Sequence, residues 1–213
     1  MARYRLAIFD FDGTLADSLD WFRSAIHDVI ARFDLTPIDA NELETFRALS
    51  GREIMARVKV PKWRLPGIVA DMRRRKLEAA DTISLFDGVP ALLSSMHGLG
   101  IKTAIVSSDS EASVRRVLGP NAARISRFDC GASIFGKHRK FGRVARLLET
   151  LPADTICIGD DIRDIEAAKR AGMHSGAVTW GYTLPDALKA AGPTHVFSSI
   201  EEMKIRLAAG TEV

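Results

Sequence analysis

Apolar residues along the chain alternate between tight runs and helical spacing. Residues 4–9 (YRLAIF) form a short apolar run that stops at an Asp/Gly cluster, which predicts a buried strand. From about 16 to 33 the pattern changes period. Leu19, Phe22, Ile26, Val29, Ile30 and Phe33 recur every three or four residues, as on one face of a helix, and Thr36-Pro37 ends it. Further helices are expected at 41–49, closed by Ser50-Gly51, at 53–58, and at 67–80 after a loop marked by Pro61 and Pro66. Residues 16–84 therefore read as all-helical.

Beyond residue 85 strands and helices alternate. Strands are predicted at 102–106, 128–131, 155–158, 175–179 and 195–197, with helices at 88–96, 110–118, 141–150, 161–171 and 185–191 and a last helix at the end. With the first strand, this alternation predicts an α/β fold: a doubly wound, parallel-sheet, Rossmann-like core with an inserted all-helical cap. Residues 1–15 and 85–213 would form the core and 16–84 the cap. An insertion leaving the sheet just after its first strand sits above the carboxyl ends of the strands, where open α/β sheets bind ligands.

Composition adds mainly exclusions. The 213 residues are 46% hydrophobic and 27% charged, enough for one sizeable core plus a small second unit. A net charge of +3 is too small to argue for nucleic acid. The densest basic run, Arg73-Arg74-Arg75-Lys76, reads as a solvated helix face. Cys130 and Cys157 read as buried free thiols in strands. No apolar run is long enough to span a membrane, and nothing like a signal peptide precedes the first strand. The expectation is a soluble cytoplasmic protein, without membrane or nucleic-acid partners, and a monomer. The histidines (27, 97, 138, 174 and 195) show no metal-ligand spacing and read as structural or surface groups.

The candidate chemistry lies where strands end. "LAIFDFDGTLADS" closes a strand with Asp10 and Asp12, on a turn that Gly13 makes possible. Side chains two apart in an extended segment point the same way, and two such acids repel unless a cation lies between them. A second acid group, Asp160-Asp161 and then Asp164, follows another strand. If both strand ends meet at one sheet edge, the oxygen ligands suit Mg²⁺. A metal held by acids invites a phosphate, whose transfer needs positioning and charge neutralisation. Ser107, ending a third strand, offers a hydroxyl and an N–H to a phosphate oxygen. Lys137 in "GKHRK" offers a positive charge, and Thr14 is expected to bond the second aspartate. "GASIFGKH" imitates a phosphate-binding loop but carries His138 where Ser or Thr would be needed, which argues against a nucleoside triphosphatase.

"DFDGTLADS", "AIVSSDS" and "IGDDIRDIEAAKRAGM" resemble the first, second and fourth motifs of the haloacid dehalogenase-like phosphatase superfamily. The tail, "VTWGY" and "HVFSSIEEM", is similar to the phosphoglycolate phosphatase-like subgroup. The resemblance implies a phosphatase acting on small phosphate monoesters. Asp10 would be the nucleophile that becomes an aspartyl phosphate, and Asp12 the general acid and base. Asp10, Asp160 and the Asp12 backbone carbonyl would bind Mg²⁺. Asp161 and Asp164 would act in the outer shell or orient Lys137, and Ser107 and Lys137 would hold the phosphoryl group. Asp12 also argues against dehalogenation, which needs no second aspartate there. Two departures stand out. Ser108 and Asp109 follow Ser107 where relatives often carry Asn, so Ser108 is only a candidate phosphate contact. No proline follows either candidate lysine, so Lys140 is the alternative to Lys137. The helical insert resembles a small cap that closes over the site and excludes water. Within it Ser50-Gly51-Arg52 and Lys59 are candidate substrate contacts, and Phe22, Ile26 and Phe33 are assigned to its core. Trp180 and Tyr182 would wall the pocket or pack in the core. A sugar-phosphate mutase, or a non-catalytic phospho-ligand binding protein, is the alternative on the same fold.

Overall fold

The computed structural model describes residues 4–37, 56–57, 59–131 and 136–209. In chain order the elements are β1 (Leu6–Phe9), β2 (Ala16–Asp17), α1 (Leu19–Arg32), α2 (Leu65–Glu78), β3 (Ser84–Leu85), α3 (Val89–Gly98), β4 (Lys102–Val106) and α4 (Glu111–Leu118). Then follow β5 (Arg127–Asp129), α5 (Lys137–Leu147), β6 (Thr155–Gly159), α6 (Ile162–Arg170), β7 (His174–Val178), α7 (Pro185–Ala190), β8 (His195–Phe197) and α8 (Ile200–Ala209). The helix expected at 41–49, and with it Ser50, Gly51 and Arg52, lies outside the described residues, as does most of that at 53–58.

Six strands form one sheet in the order β5-β4-β1-β6-β7-β8, and every neighbouring pair is parallel. Period-two alternation explains how both faces are covered. In β1, Ala7 and Phe9 join the cluster that packs against α3, α4 and α8, whereas Leu6 and Ile8 face α5 and α6. Leu6, Ile8 and Phe9 are wholly buried, each worth roughly 2 kcal/mol of apolar burial. The free thiol of Cys157 is buried in β6, and that of Cys130 is only half-buried, just after β5.

Chain order reverses beside β1. The chain runs out through β4 and β5, then crosses back to β6 on the other flank. β1 and β6 are thus the strands between which ligands sit in such sheets, at their carboxyl ends. The helical insert leaves through β2 and returns through β3, which pair antiparallel, Ala16 against Leu85. Helices α1 and α2 pack through Val29, Ile30 and Leu35 with Ile26, Phe33, Ile68 and Met72. Phe22 does not join them. Its ring lies 5.5 Å from that of Tyr182, in the loop after β7.

Two element boundaries differ from expectation in ways that matter. Helix α2 begins at Leu65, with Pro66 in its first turn, where a missing N–H costs nothing. Helix α5 begins at Lys137 rather than 141, capped by Gly136 at φ 89°. Lys137 therefore opens the helix instead of preceding it.

Candidate active site

The carboxyl ends of β1, β4 and β6 bring the candidate residues together. Phe9 pairs with Ile158 and with Ile105, so Asp10, Asp160 and Ser107 leave adjacent strands at nearly one level. The Asp10 N–H donates to the Ile158 carbonyl at 2.8 Å, which carries the pairing one residue past β1. Lys137 lies 2.7 Å from Asp10 Oδ2 and also ion-pairs with Asp164. Burial alone would push the Lys137 pKa down, but Asp10 and Asp164 outweigh it and hold the ammonium above its ordinary value.

Asp10, Asp160 and Asp164 each present an oxygen within 4.8 Å of the others. Burial, then the Asp10 charge, pushes the Asp160 carboxyl well above its ordinary range. Asp164 is also raised, first by burial, with Lys137 opposing the shift. Among the described residues only the Lys137 ammonium forms ion pairs with these three carboxylates, while the nearby Arg163 guanidinium is paired with Asp161, so the group is rich in negative charge in a mostly buried setting. All its ligand atoms are hard oxygens. Both features fit a divalent cation such as Mg²⁺. Asp160 is also clamped from outside: Thr14 Oγ1 donates to Oδ1 at 3.1 Å and the Tyr182 N–H to Oδ2 at 2.7 Å. Gly13, at φ 69°, and Gly181 both lie against this carboxylate, and a Cβ on either would overlap it.

Asp12 has partners different from those of Asp10. It precedes the turn at Gly13, with a backbone bridge between Asp12 and Ala16. Asp12 Oδ1 accepts from Ser18 Oγ at 2.7 Å and is ion-paired with Lys76. Ser18 Oγ also lies 2.8 Å from the Tyr182 hydroxyl. Tyr182 thus reaches both acid neighbourhoods, through its N–H to Asp160 and its hydroxyl to Ser18, and is more than a wall. The indole N–H of Trp180 donates to the Thr14 carbonyl at 3.2 Å.

Lys76 overturns the reading of its basic run as a solvated face. Its side chain is only 3% exposed. The ammonium lies between Asp12 and Asp109, 3.1 Å from Asp109 Oδ2. Desolvation disfavours a buried ammonium, but the two carboxylates more than compensate and raise its pKa. Its neighbours Arg74 and Arg75 do lie on an outer face, paired with Asp71. One or two residues separate these environments, and no local sequence feature marks which way Lys76 points.

The other candidates fall as follows. Ser107 is buried at the end of β4, and its Oγ accepts from the Asp109 N–H at 3.0 Å. Ser108 is exposed, and its carbonyl accepts from Arg73 at 2.9 Å. Thr14 bonds Asp160, not Asp12, because the turn carries it toward β6. Asp161 caps α6, with Asp164 completing the capping box, and its side chain pairs with Arg163 rather than Lys137. Lys140 lies 2.7 Å from Asp129, so of the two candidate lysines Lys137 is the one that reaches Asp10. The loop imitation at 131–138 has its centre, 132–135, outside the described residues. His195 is structural, bonded to Tyr4 at 2.8 Å at the opposite end of the sheet.

Comparisons with known proteins give the family. The family model for haloacid dehalogenase-like hydrolase matches residues 7–178. The chain is 31% identical over 188 residues to the phosphoglycolate phosphatase of Synechococcus elongatus, covering 87% of this chain and 89% of that one. It is 30% identical over 193 residues to that of Xylella fastidiosa, covering 84% and 81%. In fold it is similar to a crystal structure described as a predicted phosphatase from Clostridium acetobutylicum, with a TM-score of 0.82 at 22% identity, covering 97% of this chain and 99% of that one. With Asp10 and Asp160 at adjacent strand ends and the model spanning most of the sheet, the chain belongs to the haloacid dehalogenase-like hydrolase family.

Proposed function

We propose that this protein is a Mg²⁺-dependent phosphatase that hydrolyses small phosphate monoesters through an aspartyl phosphate on Asp10. The observation that carries this is the different set of partners around two carboxylates two positions apart. Asp10 faces Lys137 and the acid cluster, whereas Asp12 faces Ser18 and Lys76. Two acids in different surroundings suit two different tasks.

Asp10 Oδ2, held by Lys137, attacks phosphorus as the ester bond to the leaving oxygen breaks. Asp12 gives that oxygen its proton, then takes one from the water that hydrolyses the acyl phosphate. Ser18 and Lys76 both engage Asp12 Oδ1, which leaves Oδ2 to carry the proton. The Ser107 hydroxyl and Lys137 hold the phosphoryl oxygens. Asp10, Asp160 and the Asp12 carbonyl would hold Mg²⁺, with Asp164 beside them, and bound there it would supply charge neutralisation between nucleophile and phosphoryl group. Residues 16–84 act as the cap over this site, and 1–15 with 85–213 as the core. The similarity to phosphoglycolate phosphatases makes phosphoglycolate the first substrate to try.

The test is phosphate release from a panel of small esters, with and without Mg²⁺, for the native protein and Asp10→Asn. Release that needs Mg²⁺ and disappears in the variant is expected. Release that persists in Asp10→Asn would remove the nucleophile assignment, and no release from any ester would remove the phosphatase reading.

A further inference from the structure

Asp109 is a charged residue buried beside the site, with no part in the roles above. It follows β4 by three positions, and its side chain is 3% exposed. The core holds it on two sides: its N–H donates to Ser107 Oγ at 3.0 Å, and its Oδ1 accepts from the Ser110 N–H at 2.7 Å. The remaining oxygen, Oδ2, faces Lys76 at 3.1 Å. Lys76 comes from α2 of the helical insert and reaches Asp12 as well. The rings of Phe11 and Trp21 flank its ammonium, at 5.6 and 5.5 Å from their centroids. One turn earlier on the same helix, Arg73 donates to the carbonyl of Ser108, within the same loop.

A lysine tethered to Asp12 alone would be free to pivot on its four-carbon stem, and the Asp12 carboxylate would keep only the Ser18 hydroxyl to fix it. A second anion restricts that freedom, because the ammonium is then held by two carboxylates, one of which, Asp109, is itself tied to the core. We propose that Asp109 is a positioning residue: through Lys76 it fixes the carboxylate of Asp12, and it does so only while α2 is docked on the core. This rests on the reading of Asp12 as the proton carrier. It ties that role to the insert, so the proton carrier is set in place by the contact between α2 and the loop after β4.

The test uses the full chain with Mg²⁺, and compares an alkyl phosphate with p-nitrophenyl phosphate. The steps through phosphoryl transfer, read in kcat/KM, need a proton donor for an alkoxide but little for nitrophenolate. Asp109→Asn keeps the Oδ1 acceptor and removes the charge. It is expected to lower kcat/KM for the alkyl ester about tenfold, a fraction of what a proton donor supplies. The loss is expected to be at least fivefold greater for the alkyl than for the aryl ester, on the same scale. Lys76→Met should show the same selectivity, and the double variant should be no worse than the poorer single one. Deuterium uptake at Leu65–Glu78 should rise in both. Unchanged uptake, equal loss with both esters, or losses that multiply would each overturn the inference. Asp12→Asn separates the two claims. If it is selective and Asp109→Asn is not, the inference falls alone; if it is not selective, the reading of Asp12 falls and takes the inference with it.

Discussion

Two buried acids in this molecule face opposite fates. Asp71, on α2, is surrounded by Arg32, Arg74 and Arg75 at 2.8 to 2.9 Å. Its carboxyl is held below the ordinary range, first by the Arg74 hydrogen bond. Asp160, after β6, has burial and the Asp10 charge against it and is driven the other way. The first acid has more cations than it needs and serves to join helices. The second has too few, in a place where every other ligand atom is also an oxygen. A buried acid with a surplus of partners is structure, and one with a deficit marks where a cation belongs.

The largest effect should come at Asp10, the proposed nucleophile. Asp10→Asn is expected to lower ester hydrolysis roughly a thousandfold or more, read as phosphate release at saturating Mg²⁺. Next is Asp160→Asn, which sharpens the comparison directly. It should weaken Mg²⁺ binding and activity about 100-fold. At the same time it should stabilise the metal-free protein in thermal unfolding, since an acid with a raised folded pKa costs stability as pH climbs above about 3.8 toward that raised value. A metal-free variant less stable than the native protein would break the contrast with Asp71. Mg²⁺ itself should stabilise the native protein by about 2.7 kcal/mol at a hundredfold excess over Kd, and Asp160→Asn should lose most of that response.

Smaller effects follow. Ser107→Ala should reduce kcat/KM by about 1.5–3 kcal/mol, the range for one hydrogen bond to a charged group. Asp71→Asn should leave hydrolysis near native and cost about 1 kcal/mol, because Arg32 and Arg74 are half exposed and their attraction is screened. Its sign with pH opposes that of Asp160. A lowered folded pKa means the contribution is present above about 3.8 and disappears as pH falls through the folded value. Acid unfolding curves of native and Asp71→Asn protein should therefore converge at low pH.

Much of this was legible in the residues. Short apolar runs ending in acids marked β1 and β6, because a strand buried on both faces needs little but apolar side chains and a polar stop. Helical spacing found α1, and the Asp161 cap marked where α6 begins. Lys137 and Lys140 are hard to tell apart in the sequence, and the structure separates them: α5 starts early enough to place Lys137 at its mouth, within reach of Asp10, and Lys140 turns to Asp129. The basic run on α2 reads as a solvated face only because charge density says nothing about direction. Three arginines and a lysine look alike in a row, yet a helix sends them round its axis, and Lys76 alone is wholly enclosed.

The sequence by itself determined the six strands of the parallel sheet, the acids at their ends and the family they belong to, but not the short strands β2 and β3 that bound the insert. Those are local matters: a period of two, a glycine where the chain must turn, carboxylates within a few residues of each other. The tertiary structure alone decided which carboxylate meets which cation. Asp12 and Lys76 are 64 residues apart, and Ser18 and Tyr182 are 164 apart. Such pairings depend on the crossing of the insert over the sheet and on the angle of each helix. Electrostatic partners are chosen by distance in space, and a linear pattern carries almost none of that distance.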